Sequence, residues 1–424
     1  MKPSLVPFLA WPRPDRALLR ADLVAGATVA VVAVPQALAY AQLAGMPPHV
    51  GLYAAFVPTI VAALFGASAQ VSTGPVALTS LLTAGALAPL AAAGSAAYAA
   101  LAVALAIGSG LVQLAAGYAG WGRWIERIPA ALMLGFVNAA ALVIALSQLP
   151  ALLGVRVPSG TGPIGTLVAL RDGLPAAVPT TAAFGLAGLA ALLALRRAWP
   201  RFPGALAVSI AAILASAGWG YESIGPVVGD LPAGLPLPAW PAVDPALLPA
   251  LLPGLLTIAV VSFIEVTSSA RVIATRTGVA WNVNQELVGQ GLAKVAAGVF
   301  GAFPVSGSFS RSALNLGAGA RSPWSSLVCA ALVGAALLFA TGALHHLPTA
   351  VLAALIVSAV ATLVTPRELI GLWRGGPGGR GEAAVAWTTL VATLLSAPRI
   401  HYGLLVGLAA VGVRAALARG ARPG

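Results

Sequence analysis

FPVSGSFSRSALN, residues 303–315, places an arginine and four serines inside an otherwise apolar, membrane-like chain. Pro304, Gly307 and the serines make a poor start for a continuous helix, so the stretch reads as an extended segment that turns helical near Ser310. A helix that begins partway across a membrane points its unpaired N–H groups into the protein interior, together with a dipole end worth about half an elementary charge. Arg311, in its first turn, adds a full charge there. Charge at such depth costs about 2.5–3.5 kcal/mol by insertion scales and marks a pathway or a binding site. The sign of this one points to an anionic guest.

The rest of the chain has a matching character. It is 59% hydrophobic and 8% charged, with mean hydropathy +0.94, whereas a soluble domain carries roughly 25% charged residues. The fold class is therefore an all-α polytopic membrane protein. Apolar runs close to the roughly 20 residues that cross a bilayer fall at about 21–43, 50–66, 75–89, 97–118, 128–148, 177–195 and 202–218. A second set falls at 247–270, 285–302, 309–319, 323–343, 348–364, 383–397 and 401–418, giving 14 candidate spans. The first run carries Pro35, Gln36 and Tyr40 and lacks a small-residue cleavage site, so it reads as a first span and not a removed signal peptide. The single Cys329 excludes an intrachain disulfide and a multi-cysteine metal site. His345 and His346, beside Pro348, read as a polar cap more than as metal ligands.

A net charge of +12 would suggest nucleic acid in a soluble protein, but here its placement decides otherwise. With 14 spans and both ends cytoplasmic, 18 of the 23 basic residues fall on the cytoplasmic side: Lys2, Arg13, Arg16, Arg20, Arg123, Arg127, Arg196, Arg197, Arg201, Arg271, Arg276, Arg321, Arg367, Arg374, Arg380, Arg414, Arg419 and Arg422. Arg156, Arg171 and Arg399 fall outside, and Lys294 and Arg311 fall within spans. The expected location is the inner or plasma membrane, with lipid and no nucleic acid among the partners.

The polar loop 219–246 divides the spans seven and seven, and an odd number per half sets the halves in opposite orientations, as in inverted-repeat transporters. QVSTGPVA (70–77) is a polar, turn-rich lead into a short helix that Pro75 can begin. It is the first-half counterpart of 304–310, so two half-helices, spans 3 and 10, are expected to meet near the midplane. Two glycine-interrupted, closely packed spans are the plainer alternative. The expected organisation is a cytoplasmic segment 1–20, a seven-span repeat 21–218, an extracytoplasmic loop 219–246, a second repeat 247–418 and a cytoplasmic tail 419–424.

The stretches AWNVNQELVGQGLAKVAAGVFGAFPVSGSFSRSALNLGAGARS (280–322), DLVAGATVAVVAVPQALAYAQLAGMPPHVGLYAAFVPTIVAALFGAS (22–68) and VSTGPVA (71–77) resemble the signatures of the SulP anion transporters. That family includes sulfate permeases, bicarbonate and dicarboxylate carriers, and prestin. The resemblance implies a core domain, spans 1–4 and 8–11 (about 21–118 and 247–343), that moves against a gate domain, spans 5–7 and 12–14 (about 128–218 and 348–418). It also implies a homodimer, and no cofactor beyond a coupling ion. The implied substrate site comprises Gln36 and Tyr40 on span 1, Thr73, Gly74, Pro75, Val76 and Ala77 at the start of span 3, Glu265 on span 8, and Ser308, Phe309, Ser310 and Arg311 at span 10. Two departures stand out. The family usually continues into a STAS domain, which is absent from this chain: it was removed, or this member lacks it. The family also often has Asn where this chain has Lys294.

Arg311 either binds the anion or forms a structural ion pair that locks span 10. Ser308 and Ser310 donate to the guest or cap the helix, and Tyr40 forms an aromatic wall or simply packs. Glu265 is the only acid well inside a span. It reads as the coupling residue, carrying H+ or coordinating Na+ with Ser269 one turn on, unless it is held in a fixed pair with Arg311. Asn284, Gln285 and Glu286 read as a cap or scaffold of the site, and Gly301, Gly307, Gly317 and Gly319 as points of close helix contact. The expected activity is secondary active transport of a small oxyanion: sulfate, bicarbonate or a C4-dicarboxylate. A nucleobase–cation symporter of the same fold is an alternative, against which Arg311 argues, and an anion channel or sensor is another. An enzyme is not expected, because carboxylate clusters for magnesium and His/Cys sets are absent from the sequence.

Overall fold

The computed structural model describes residues 3–420 apart from 12, 126–127, 158–160, 201, 241–242 and 375–378. Lys2, Arg127, Arg201 and Arg422 of the basic set, and residues 421–424 of the expected tail, lie outside the described residues. The first half contains α1 (Arg16–Leu43), α2 (Pro48–Phe65), α3 (Ala77–Leu87), α4 (Ala96–Tyr118), α5 (Ala130–Leu153), α6 (Pro179–Ala198) and α7 (Gly204–Trp219). The second contains α8 (Leu248–Thr277), α9 (Val283–Val299), α10 (Phe309–Gly317), α11 (Trp324–Phe339), α12 (Thr349–Val360), α13 (Gly379–Ser396) and α14 (His401–Gly420). Among the described residues, α1, α2, α4, α5, α6 and α8 are long and apolar enough to cross a membrane, and α3, α7, α11, α12 and residues 401–415 of α14 form shorter apolar helices.

Local chemistry sets several boundaries. Asp15 caps α1, accepting the Leu18 N–H at 2.7 Å, so the helix starts at Arg16 and not at the expected residue 21. Ser95 caps α4 through the Tyr98 N–H at 3.1 Å. Such caps stabilise a helix by about 1 kcal/mol each. The chain is not wholly helical: residues 72–74 and 306–308 form a two-stranded antiparallel sheet, a correction to the all-α expectation. Short helices at Pro163–Gly173 and Pro366–Trp373 also lie between the expected spans.

The helices sort by contact. Helix α9 lies against α4 and α2, and α1 against α11 and α2, while α13 packs on α14 and α5, and α12 on α5 and α6. Small residues allow the closest approaches. A Cβ on Gly289 would lie 2.5 Å from the Gly66 Cα, and one on Gly110 would lie 2.7 Å from the Gly291 carbonyl oxygen. Of the glycines expected to serve this purpose only Gly307 does so: its Cβ would stand 2.2 Å from Val266 Cγ2. Gly301, Gly317 and Gly319 have open space where a Cβ would go; Gly301 and Gly319 instead take φ of 73° and 94° in turns after α9 and α10.

The loop 219–246 is tied down at the other end of α11. Backbone N–H groups of Val228 and Gly229 donate to the carbonyls of Leu347 and His345 at 2.9 and 3.1 Å. The His345 ring places Nε2 3.1 Å from Glu222 and Nδ1 2.9 Å from Asp230, so His345 tethers the loop and is not merely a polar cap. A neutral imidazole has one N–H, whereas both of these contacts call for a donor. The hydrogen bond to Glu222 therefore leads in raising the His345 pKa above its ordinary value, with Asp230 adding to it. Both contacts are held below about pH 6.5, the ordinary histidine value, and one of them is given up as pH rises through the raised value. Amide exchange in residues 221–231 should quicken over that rise, and His345→Ala should remove the pH dependence.

Candidate functional site

The paired strands organise the site. Strand β1 (Ser72–Gly74) lies antiparallel to β2 (Ser306–Ser308), with Ser72 opposite Ser308, Thr73 opposite Gly307 and Gly74 opposite Ser306. β1 feeds α3 and β2 feeds α10, so the two helices start from opposite ends of one short ladder. Ser308 caps α10, its Oγ accepting the Arg311 N–H at 3.3 Å. Val76 precedes α3 with no side-chain cap, so the first-turn N–H groups from Ala77 onward have no side chain to satisfy them.

Arg311 is buried and reaches across the ladder into the β1–α3 connection. Its Nη1 donates to the Pro75 carbonyl at 3.0 Å and its Nε to Ser72 Oγ at 3.4 Å. Gly74 leaves the guanidinium its room, since a Cβ there would lie 3.1 Å from Nη2. That Nη2 is buried and has no hydrogen-bond partner. The same holds for Gln36 Oε1 on α1 and Glu265 Oε2 on α8. Buried polar atoms are almost always paired, and here three helices each bring an unpaired one to residues expected to bind the guest. Among the described residues no Glu265–Arg311 ion pair falls within 4.0 Å, so the locked pair does not form. Tyr40 is buried close enough to Arg311 and Glu265 to interact with both charges.

A cavity of about 300 Å³ leads to this point from the basic end of α6. Thr28, Val32 and Gln36 line one wall, Ser310 and Arg311 its inner end, and Arg196, Phe202 and Ser358 the facing wall. Ser310 is exposed to it; Phe309 is 52% exposed but does not line it. Two expected residues are engaged elsewhere: Thr73 Oγ1 accepts Gln290 Nε2 at 2.8 Å, and Ser269 Oγ donates to the Glu265 main-chain carbonyl at 3.2 Å.

The segment 284–290 builds the scaffold. Glu286 accepts the Ala67 and Ser68 N–H groups at 2.9 and 3.0 Å, Gln285 donates to the Phe65 carbonyl at 2.7 Å, and Asn284 accepts the Gly122 N–H at 3.0 Å. Gln290, bonded to both Thr73 and Glu286 (3.1 Å), transmits that arrangement to β1. The sequence alone assigns no site role to Gln290, Ser72, Ser306 or Gln113. Their one signal is a polar side chain in a helix or turn otherwise built of small apolar residues.

This arrangement of helices is that of known anion-transporter structures. The chain superimposes on murine Solute Carrier 26 family member A9, described in its inward-facing state, with TM-score 0.88 and 22% identity, over 97% of this chain and 71% of that one. It matches the transmembrane domain of the cyanobacterial bicarbonate transporter BicA with TM-score 0.83 and 24% identity, over 94% and 99% of the two chains. In sequence it is 36% identical over 408 residues to a probable sulfate transporter of Mycobacterium tuberculosis, covering 96% of this chain and 71% of that protein. The sequence pattern of the sulfate permease family spans residues 19–381. The chain belongs to the sulfate permease family, a family of membrane anion transporters and not of enzymes.

Proposed function

We propose that this protein is a secondary active carrier of a small oxyanion, whether sulfate, bicarbonate or a C4-dicarboxylate, and that it binds the anion between the starts of α3 and α10. The carrying observation is that Gln36 and Arg311, each with an unpaired buried atom, line the cavity beside Ser310, while Glu265, with its own unpaired Oε2, interacts with the Arg311 charge. Arg311 supplies charge, the α3 N–H groups supply donors that suit an oxyanion without demanding one shape, and Ser310 supplies a hydroxyl. The names of the sulfate and bicarbonate transporters it resembles support the substrate class.

In this reading the chain forms a 14-span inverted repeat of the plasma membrane with cytoplasmic ends, working as a homodimer. The core, α1–α4 and α8–α11, moves against the gate, α5–α7 and α12–α14, to give alternating access. Glu265 is the coupling residue. The coupling ion in this reading is a proton, taken up by the Glu265 carboxyl, whose Oε2 is buried and unpaired. The opening toward Arg196 fits an inward-facing state, with closure on the other side where α3 meets the gate: a Cβ on Gly85 would lie 2.4 Å from the Pro398 carbonyl oxygen. Gly85→Leu should therefore disfavour this state. A cysteine placed at Ser310 should lose reactivity toward thiol reagents from the Arg196 side in that background.

The test is uptake of labelled sulfate, bicarbonate and fumarate into proteoliposomes under imposed proton or sodium gradients, with counterflow. Saturable, trans-stimulated uptake of one of them supports the carrier. Absence of uptake of all three by folded protein overturns it, and flux without saturation or counterflow indicates a pore.

A further inference from the structure

Lys294, in the middle of α9, is 0% exposed. Its ammonium has three donors and one hydrogen bond, to Gln113 Oε1 of α4 at 2.9 Å. Among the described residues no carboxylate lies within 4.0 Å of it. Gln113 turns its amide to α8, donating to the Ala259 carbonyl at 2.6 Å and to Ser262 Oγ at 3.0 Å. Ser306 in β2 donates to the Ser262 carbonyl at 2.9 Å and faces the Glu265 carboxyl one turn further along. A polar path through Gln113, Ser262 and Ser306 therefore links Lys294 to Glu265.

Other charges near this pair are few. Helices α2, α3 and α4 contain no Asp, Glu, Lys or Arg. Glu286, at the start of α9, is engaged with Ala67, Ser68 and Gln290. From α10 and α1 come Arg311 and Tyr40, from α14 His401, and Arg271 lies further along α8. Glu265 interacts electrostatically with Lys294, Arg311 and Tyr40, and Lys294 with Glu265. The buried site thus holds one carboxyl group and two basic groups, Lys294 and Arg311.

We propose that Lys294 is the resident counter-charge of Glu265, leaving Arg311 to balance the transported anion. This rests on the carrier reading above. With Glu265 ionised and Lys294 protonated the site carries one net positive charge and becomes neutral on binding a monovalent oxyanion, so no co-transported cation is required. With Glu265 protonated it carries two and becomes neutral on binding a divalent anion, so a divalent anion travels with one proton. In low dielectric an unbalanced buried charge is strongly penalised, and these two loaded forms are the neutral ones. If Lys294 were absent, Glu265 and Arg311 would cancel, and even a monovalent anion would require a proton.

The experiment measures exchange of bicarbonate, held at constant bicarbonate concentration, and of labelled sulfate by the purified protein in proteoliposomes from pH 6.5 to 8.5, with protein-free vesicles as blanks. Wild type should give a flat bicarbonate profile and sulfate uptake that rises as pH falls. Lys294→Met should turn the bicarbonate profile into one that falls about tenfold per pH unit on the alkaline side, one proton per anion. Lys294→Met/Glu265→Gln, which keeps only Arg311, should restore a flat bicarbonate profile, a rescue that a merely structural role of Lys294 would not give. A wild-type bicarbonate profile that itself requires acid overturns the proposal whether or not the variants fold. So does a flat profile in Lys294→Met, or a double variant no better than the single. Absence of exchange of either anion by wild type would instead overturn the carrier reading.

Discussion

Arg311→Ala is expected to reduce anion uptake about 10- to 100-fold, as loss of a hydrogen bond to a charged group worth about 1.5–3 kcal/mol implies. Two jobs of the side chain fail together. Its unpaired Nη2 and its charge leave the anion site, and its Nη1 and Nε release Pro75 and Ser72, whose placement sets the start of α3. Arg311→Lys separates them. It keeps the charge but cannot span both contacts with a single ammonium, so it should recover part of the uptake at low affinity. Initial rates against anion concentration read the difference. A melting temperature for each variant shows whether the fold has been retained.

Glu265→Gln is expected to abolish proton-driven accumulation of a divalent anion while sparing exchange. A gradient of one pH unit stores about 1.4 kcal/mol per proton and so concentrates a co-transported anion about tenfold. The glutamine keeps the shape and a hydrogen-bonding end at the unpaired Oε2 position but cannot take up or release the proton. Accumulation under the gradient should fall to the level of a gradient-free control, with counterflow of the labelled anion persisting. Accumulation unchanged in Glu265→Gln would remove this residue from coupling.

Much of the architecture was legible because a membrane restricts the choices. Apolar runs bounded by Pro, Gly and Arg placed most helices within a few residues, although α1 starts five residues before its expected start and α8 runs seven past its expected end, and Pro75 and the serines of 306–312 marked the helices that start late. The pairing of 72–74 with 306–308 was not legible, since a three-residue ladder between segments more than 200 residues apart leaves no periodicity to read. Arg311 announced itself as a lone charge, but its grip on Pro75 depends on tertiary contact. Lys294 was visible as an oddity without a partner; only the fold shows that Gln113, itself unremarkable in an apolar run, receives it. In the sequence His345 resembles a cap because the acids it meets, Glu222 and Asp230, lie over 100 residues away.

The central claim is that an anion binds where Arg311 meets the start of α3. Calorimetric titration of the transported anion into detergent-purified wild type and Arg311→Ala, matched for melting behaviour, tests it most directly. The account predicts saturable one-site binding to wild type and binding at least tenfold weaker to the variant, by the same charged hydrogen-bond estimate. Equal affinity in the two proteins would place the anion elsewhere and contradict it.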